Sequence, residues 1–188
     1  GDQMSENLRR FTKAVYGFDA VVQRVPDERW DEASPCEGWA ARDVVVHQAG
    51  VLAGLAAMAR TGEIVMPQPS DDASDPRGVW AAARDDVLEA LDHPGVLQQE
   101  GQFWFGPMSI DQLVGAVQWD PLVHAWDLGQ AAGIDPHCDP QLADASMTTM
   151  GPMLDTLRGM GLVGDEVAVA ADADPVSRFL GMVGRNPS

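Results

Sequence analysis

Asp120 lies four residues before His124, and Asp127 lies three residues after it. Residues three and four apart share a face of an α-helix, so Asp120 and His124 can point at one spot a turn apart. This spacing lets one helix supply two ligands to a metal ion, and the cores of helical bundles hold such sites with further ligands from facing helices. His47, set among apolar residues at helical spacing, is the natural third ligand. Two imidazoles and one carboxylate suit zinc, nickel or ferrous iron, and three protein ligands leave one coordination position for water or substrate. A plainer reading stands beside this one. D-x-x-x-H recurs by chance, and a histidine on an apolar helical face is more often a core residue with a hydrogen-bond partner. His93 and His137 stand beside Pro94 and Pro136 and read as turn residues.

The elements that must carry these side chains are helices. Leu8, Phe11, Val15, Phe18 and Val22 line one face of a first helix over 6–24, with Ser5 as its cap and Pro26 as its stop. A turn-rich passage, WDEASPCEGW, spans Trp30 to Trp39, and a second helix with His47 follows over 41–60. Its cap position holds Ala40, where a Ser or Thr would complete a capping box with Asp43. The segment 61–74, rich in Pro, Asp and Ser, reads as a loop. A third helix opens with Asp75-Pro76 and ends before Pro94-Gly95. Residues 96–105 read as extended chain or loop. Ser109 and Gln112 form a capping-box signature, and Gly133 stands where a C-terminal glycine belongs, so one helix is expected over 109–133, kinked at Pro121. A fifth helix is expected from Asp139-Pro140 to Arg158, bent near Gly151-Pro152. After it come a single strand over EVAVAAD and a last short helix over 175–183. Amphipathic helices with so little strand point to an all-α helical bundle.

The composition limits the partners. A formal net charge of −17 argues against a nucleic-acid footprint, which needs clustered Lys and Arg, and Lys13 is the only lysine. No apolar run approaches the roughly 18 residues of a membrane span, and no signal segment opens the chain, so a cytoplasmic protein is expected. Cys36 and Cys138 accordingly read as reduced thiols, and no basic group can be placed beside either from sequence. The tryptophans at 30, 39, 80, 119 and 126 read as core and boundary packing rather than a ligand cage.

Two blocks carry a family resemblance. SPCEGWAARDVVVHQAG, residues 34–50, resembles the segment of the DinB-like superfamily that bears its first metal-binding histidine. WDPLVHAWDLGQAAG, residues 119–133, resembles the second block of the actinobacterial branch typified by the N-terminal domain of mycothiol-dependent maleylpyruvate isomerase. PGVLQQEGQFWFGPMS resembles the middle of that branch, and VAVAADADPVSRFLGMVGRNP its ending, so the likeness runs nearly the whole length. The resemblance implies a DinB-like four-helix bundle over 1–161. Residues 162–188 would be a short strand-and-helix appendage, a remnant of a larger C-terminal domain and not an independent unit. It implies metal ligation by His47, Asp120 and His124, with Asp120 a shorter carboxylate than the Glu of the isomerase-like branch. Asp127, in the WDL motif, is read as orienting or accepting from a ligand rather than ligating. Residues that bind a thiol cofactor or a diacid cannot be matched, so neither catalytic nor cofactor-binding residues are assigned and the isomerase activity is not carried over.

Three functions fit these residues. The first is a metal-dependent transferase or isomerase that activates a low-molecular-weight thiol such as mycothiol, the ion being zinc first, nickel or iron otherwise. The second is a metal-dependent hydrolase. The third is a non-enzymatic binding or regulatory module with a structural or vestigial metal, for which a closed fourth ligand such as Asp127 or His137 would speak. A homodimer is left open.

Overall fold

The computed structural model describes residues 4–66 and 73–188. Those residues form eight α-helices and one two-stranded hairpin. Helix α1 spans Glu6–Arg24, with the Ser5 hydroxyl accepting from the Leu8 amide as its cap. Its buried stripe is Phe11, Ala14, Val15, Phe18, Val21 and Val22, the three- and four-residue recurrence visible in the sequence. Helix α2 spans Ala41–Thr61. Only half of the capping box forms there: the Asp43 carboxylate accepts the Ala40 amide at 2.9 Å, but Ala40 has no hydroxyl to return. Thr61 belongs to this helix rather than to the loop expected over 61–74, of which 67–72 lie outside the described residues.

Helix α3 spans Pro76–Asp92, capped by Asp75. The segment over 96–105, expected to be extended or loop, carries the first strand of a hairpin, β1 (Glu100–Phe103) antiparallel to β2 (Gly106–Ser109), with Glu100 opposite Ser109. Ser109 then caps the next helix, and both bonds of its box with Gln112 are made, at 3.1 and 2.9 Å.

The single kinked helix expected over 109–133 is instead two: α4 (Ile110–Val117) and α5 (Trp119–Ala132), separated at Gln118. Proline explains both the break and its position. Pro121 has no amide hydrogen to offer the carbonyl four residues earlier, that of Val117, and its ring crowds that carbonyl. The helix therefore ends at Val117 and restarts, with Pro121 in the first turn of α5 where its missing N–H costs nothing. Gly133, at φ 71°, closes α5.

Helix α6 (Pro140–Met150) is followed by a 3₁₀ turn over Gly151–Met153 and a short α7 (Leu154–Gly159), the bend expected near Gly151-Pro152. Helix α8 spans Pro175–Met182 under an Asp174 cap. The strand expected over EVAVAAD does not form. That segment runs extended against α8 through one backbone bond, Val167 N–H to the Gly181 carbonyl at 2.9 Å. A Cβ at position 181 would lie 2.5 Å from the Val167 oxygen, so glycine is what lets the two backbones meet.

Helices α1, α2, α3 and the α4–α5 pair enclose one core around Phe18, Leu52, Trp80, Leu113 and Leu128. The opposite face of α5, with Trp119, Leu122 and Val123, packs with α6, Leu157 and the α8 residues Phe179 and Leu180. Helix α5 is thus covered on two sides, which buries His124 and Asp127. The fold is all-α with one small sheet, as the sequence implied. Helix α2 has the length and apolarity to cross a membrane, but 61% of its most apolar stretch is buried inside the protein, as in the core helix of a bundle.

Candidate metal centre

Helices α2 and α5 pack side by side and bring His47, Asp120 and His124 together. One imidazole nitrogen from each histidine and one Asp120 oxygen lie within 4.8 Å of one another. Within that set, His124 Nε2 stands 3.2 Å from Asp120 Oδ1, the contact expected of residues four apart on a helix. Bonds of about 2.1 Å in a tetrahedral site set donor atoms about 3.4 Å apart, a separation close to that of this pair. The His47 and His124 rings meet edge to face, with centroids 5.1 Å apart, and Trp39 packs against His47 in a tilted arrangement with centroids 4.6 Å apart.

The orientation of His124 is fixed from behind. Its Nδ1 lies 3.0 Å from Asp127 Oδ2, and Asp127 is fully buried. Nδ1–H donates to that carboxylate, which leaves Nε2 facing Asp120 and His47. Asp127 is in turn gripped by Arg185, whose Nε reaches Oδ1 at 2.9 Å and Nη2 reaches Oδ2 at 2.6 Å. Arg185 Nη1 donates to the Val183 carbonyl, which ties the guanidinium to the turn that ends α8. The Cys36 thiol donates to Asp127 Oδ2 at 3.3 Å, and Arg185 Nη2 is 3.6 Å from its sulfur.

The electrostatics follow this wiring. Burial, reinforced by neighbouring His124, holds the His47 pKa below its ordinary value and keeps that ring neutral. Burial is the largest single influence on His124 and opposes its charge, but the Asp120 carboxylate and hydrogen bonds with Asp120, Asp127 and Cys36 together overcome it, and its pKa lies well above the ordinary value. A proton between His124 and Asp120 therefore sits where a cation is favoured. For Asp127 burial works upward, yet the bonds from Arg185 and His124 pull it down to about 2. Asp127 is thus a fixed negative charge.

Asp127 and His137, the residues that could have closed a fourth position, do neither. Both Asp127 oxygens are engaged by Arg185, and His137 is an exposed turn residue at φ 50°, beside Asp135. Sequence reading missed Arg185 and Cys36. No basic group could be placed beside Cys36 from sequence, yet Arg185, 149 residues away, lies against it. The signal was present in the GRNP ending and in the WDL motif: a buried aspartate needs a partner, and the cations this chain can offer are nearly all arginines.

Residues 11–129 match the family described as the mycothiol maleylpyruvate isomerase N-terminal domain. Among curated proteins, none matches the chain. Two crystal structures share its fold: the mycothiol-dependent maleylpyruvate isomerase, and a histidine-to-alanine mutant of it. Each superposes with a TM-score of 0.67 at 14% identity, over 96% of this chain and 89% of that chain.

Proposed function

The chain belongs to the mycothiol maleylpyruvate isomerase N-terminal domain family, and from that premise we propose that it binds one divalent metal ion through His47, Asp120 and His124 and uses it to activate a low-molecular-weight thiol. Zinc suits the donor set best, with nickel or iron as the other candidates. The thiol class is mycothiol-like, and the reaction is transfer of the thiol to an electrophile or isomerisation of an adduct, in a cytoplasmic setting.

The observation that carries this reading is the turn of His124. Asp127 takes Nδ1, so Nε2 faces Asp120 Oδ1 at 3.2 Å and His47 across the helix interface. The donor set also suits the group electrostatically: the pocket holds His47 neutral and favours a positive charge beside Asp120. An ion there supplies Lewis acidity and favours the thiolate, the nucleophilic form of a bound thiol. The chain's own residues supply the rest. His47 offers a neutral nitrogen, His124 would give up its Nε2 proton to a bound ion, Asp120 offsets charge, Trp39 lies against the His47 ring, and Arg185 holds Asp127 ionised. Both Asp127 and His137 are engaged elsewhere, which leaves a coordination place for the thiol and favours an active centre over a closed structural one.

Metal content by elemental mass spectrometry tests the site, on protein never exposed to chelator, beside His47→Ala and His124→Ala. About one equivalent in the wild type, lost in both variants, is expected. Wild type that stays metal-free after reconstitution with zinc, nickel and iron would sink the reading. The thiol step is tested separately by titrating the cobalt-substituted protein with mycothiol, where a change in the visible spectrum is expected.

A further inference from the structure

We propose that the cleft between α1, α5 and the loop leading into α6 binds a small monocarboxylate with an apolar body, its carboxylate held by Lys13. The cleft has a volume of about 200 Å³. Its apolar lining comes from Ala14 on α1, Leu122 and Ala125 on α5 and Leu142 on α6, and Lys13, His137 and Asp139 add polar groups. Pockets for drug-sized ligands run to about 300–1,000 Å³, so this one suits an occupant of one ring or a short chain. His47, Asp120 and His124 are not among the lining residues, so the proposal does not rest on the metal reading.

Two features keep the space open. Gly17 lies in the interior of α1, where glycine weakens a helix relative to alanine, and it lines the cleft. A Cβ there would meet no atom within 4 Å, so the absent side chain widens the cleft. The facing loop is tied in place. Arg24 on α1 donates to the Asp135 carbonyl at 2.9 Å, and Asp135 accepts the His137 amide at 2.8 Å.

Charge selects the ligand. Lys13 is the only lysine in a chain of net charge −17. Its ammonium stands 3.4 Å from Asp139 Oδ2, longer than the about 2.8 Å of a charge-assisted hydrogen bond, so that contact leaves donors to offer. Asp139 Oδ1 accepts the Gln141 amide at 2.8 Å, at the start of α6 where the helix dipole offsets a carboxylate charge. Burial pushes the Cys138 thiol up to about 11, so that wall is uncharged at neutral pH. One cation beside Asp139, on a chain this negative, accommodates one anionic group and repels a second. A ring or short chain against Leu122 and Leu142 leaves water while its carboxylate stays at Lys13, which matches both parts of the lining.

Benzoate is the probe, titrated into the ¹⁵N-labelled full chain and followed by amide chemical shifts. Saturable shifts are expected at Gly17, Ala125 and Cys138, with a Kd of about 1 mM. Benzylamine, of similar size and opposite charge, and phthalate, with a second carboxylate, should bind about tenfold more weakly or less. Lys13→Met keeps the stem without the charge and should weaken benzoate about tenfold. Gly17→Leu fills the open space and should abolish the shifts at Ala125 and Cys138, with no fall in melting temperature because leucine is the better helix former. His47→Ala should bind benzoate as the wild type does, which separates this site from the metal centre. No saturation by about 10 mM, benzylamine binding as tightly as benzoate, an unchanged Kd in Lys13→Met, or shifts confined to His47 and His124 would overturn the proposal.

Discussion

Replacing Asp127 with asparagine tests whether the buried carboxylate both stabilises the fold and aims His124. The side chain is fully buried and is bonded to Arg185 twice, to His124 Nδ1 and to Cys36. Asn keeps the volume and one acceptor but abolishes the charge, so Arg185 is left facing a neutral group. The drop of the Asp127 pKa from 3.8 to about 2 corresponds to about 2 kcal/mol favouring the ionised form in the fold. Breaking a buried ion pair from one side costs about 3–5 kcal/mol. Asp127→Asn should therefore lose about 2–4 kcal/mol in urea denaturation of metal-free protein at pH 7, and zinc affinity should fall by about 10- to 100-fold. The pH dependence has a definite sign. A carboxylate whose pKa is lowered on folding contributes its stability above the unfolded value near 3.8 and loses it as the pH falls towards 2. The gap between wild type and variant should hold from pH 7 down to about 4 and narrow below it. A variant as stable as wild type within about 0.5 kcal/mol, with unchanged zinc affinity, would refute the reasoning, because neither the ion pair nor the aim of His124 would then depend on this charge.

Other perturbations isolate single features. Ala40→Ser supplies the hydroxyl missing from the α2 capping box, whose other half is formed, and should stabilise the fold by about 1 kcal/mol in the same denaturation assay. Gln48 on α2 is fully buried, and neither its Nε2 nor its Oε1 has a partner among the described residues. Gln48→Leu should therefore raise stability by about 1–3 kcal/mol, and a loss would mean that the amide is satisfied inside the bundle. Pro121→Ala restores an amide to meet the Val117 carbonyl and should let α4 and α5 merge. Asp120 sits one residue away, so a chelator-competition titration should show zinc affinity falling about tenfold, whereas unchanged affinity would show that the break does not set Asp120.

The sequence by itself determined what depends on neighbours along the chain. The apolar period of α1, the Asp75-Pro76 and Asp139-Pro140 starts, the Ser109–Gln112 box and the glycine after α5 are local signals, and each marks an element boundary found in the fold. The Asp120–His124 pairing was legible for the same reason, since four residues on one helix fix their relation without tertiary help. Pro121 was read as a kink, and the helix is interrupted at Gln118, whose backbone stays in the right-handed helical region at φ −62° and ψ −24°, because the proline removes the bond that would have carried the helix through. The EVAVAAD segment alternates like a strand, but a strand needs a partner edge, and packing gave it α8 instead. Tertiary structure alone decided that His47 meets His124 across α2 and α5, and that Arg185 comes back over 58 residues to hold Asp127. Those contacts join residues far apart in the chain, and burial decides them: a charge such as Asp127, once enclosed, must be met by whatever cation the fold can bring to it.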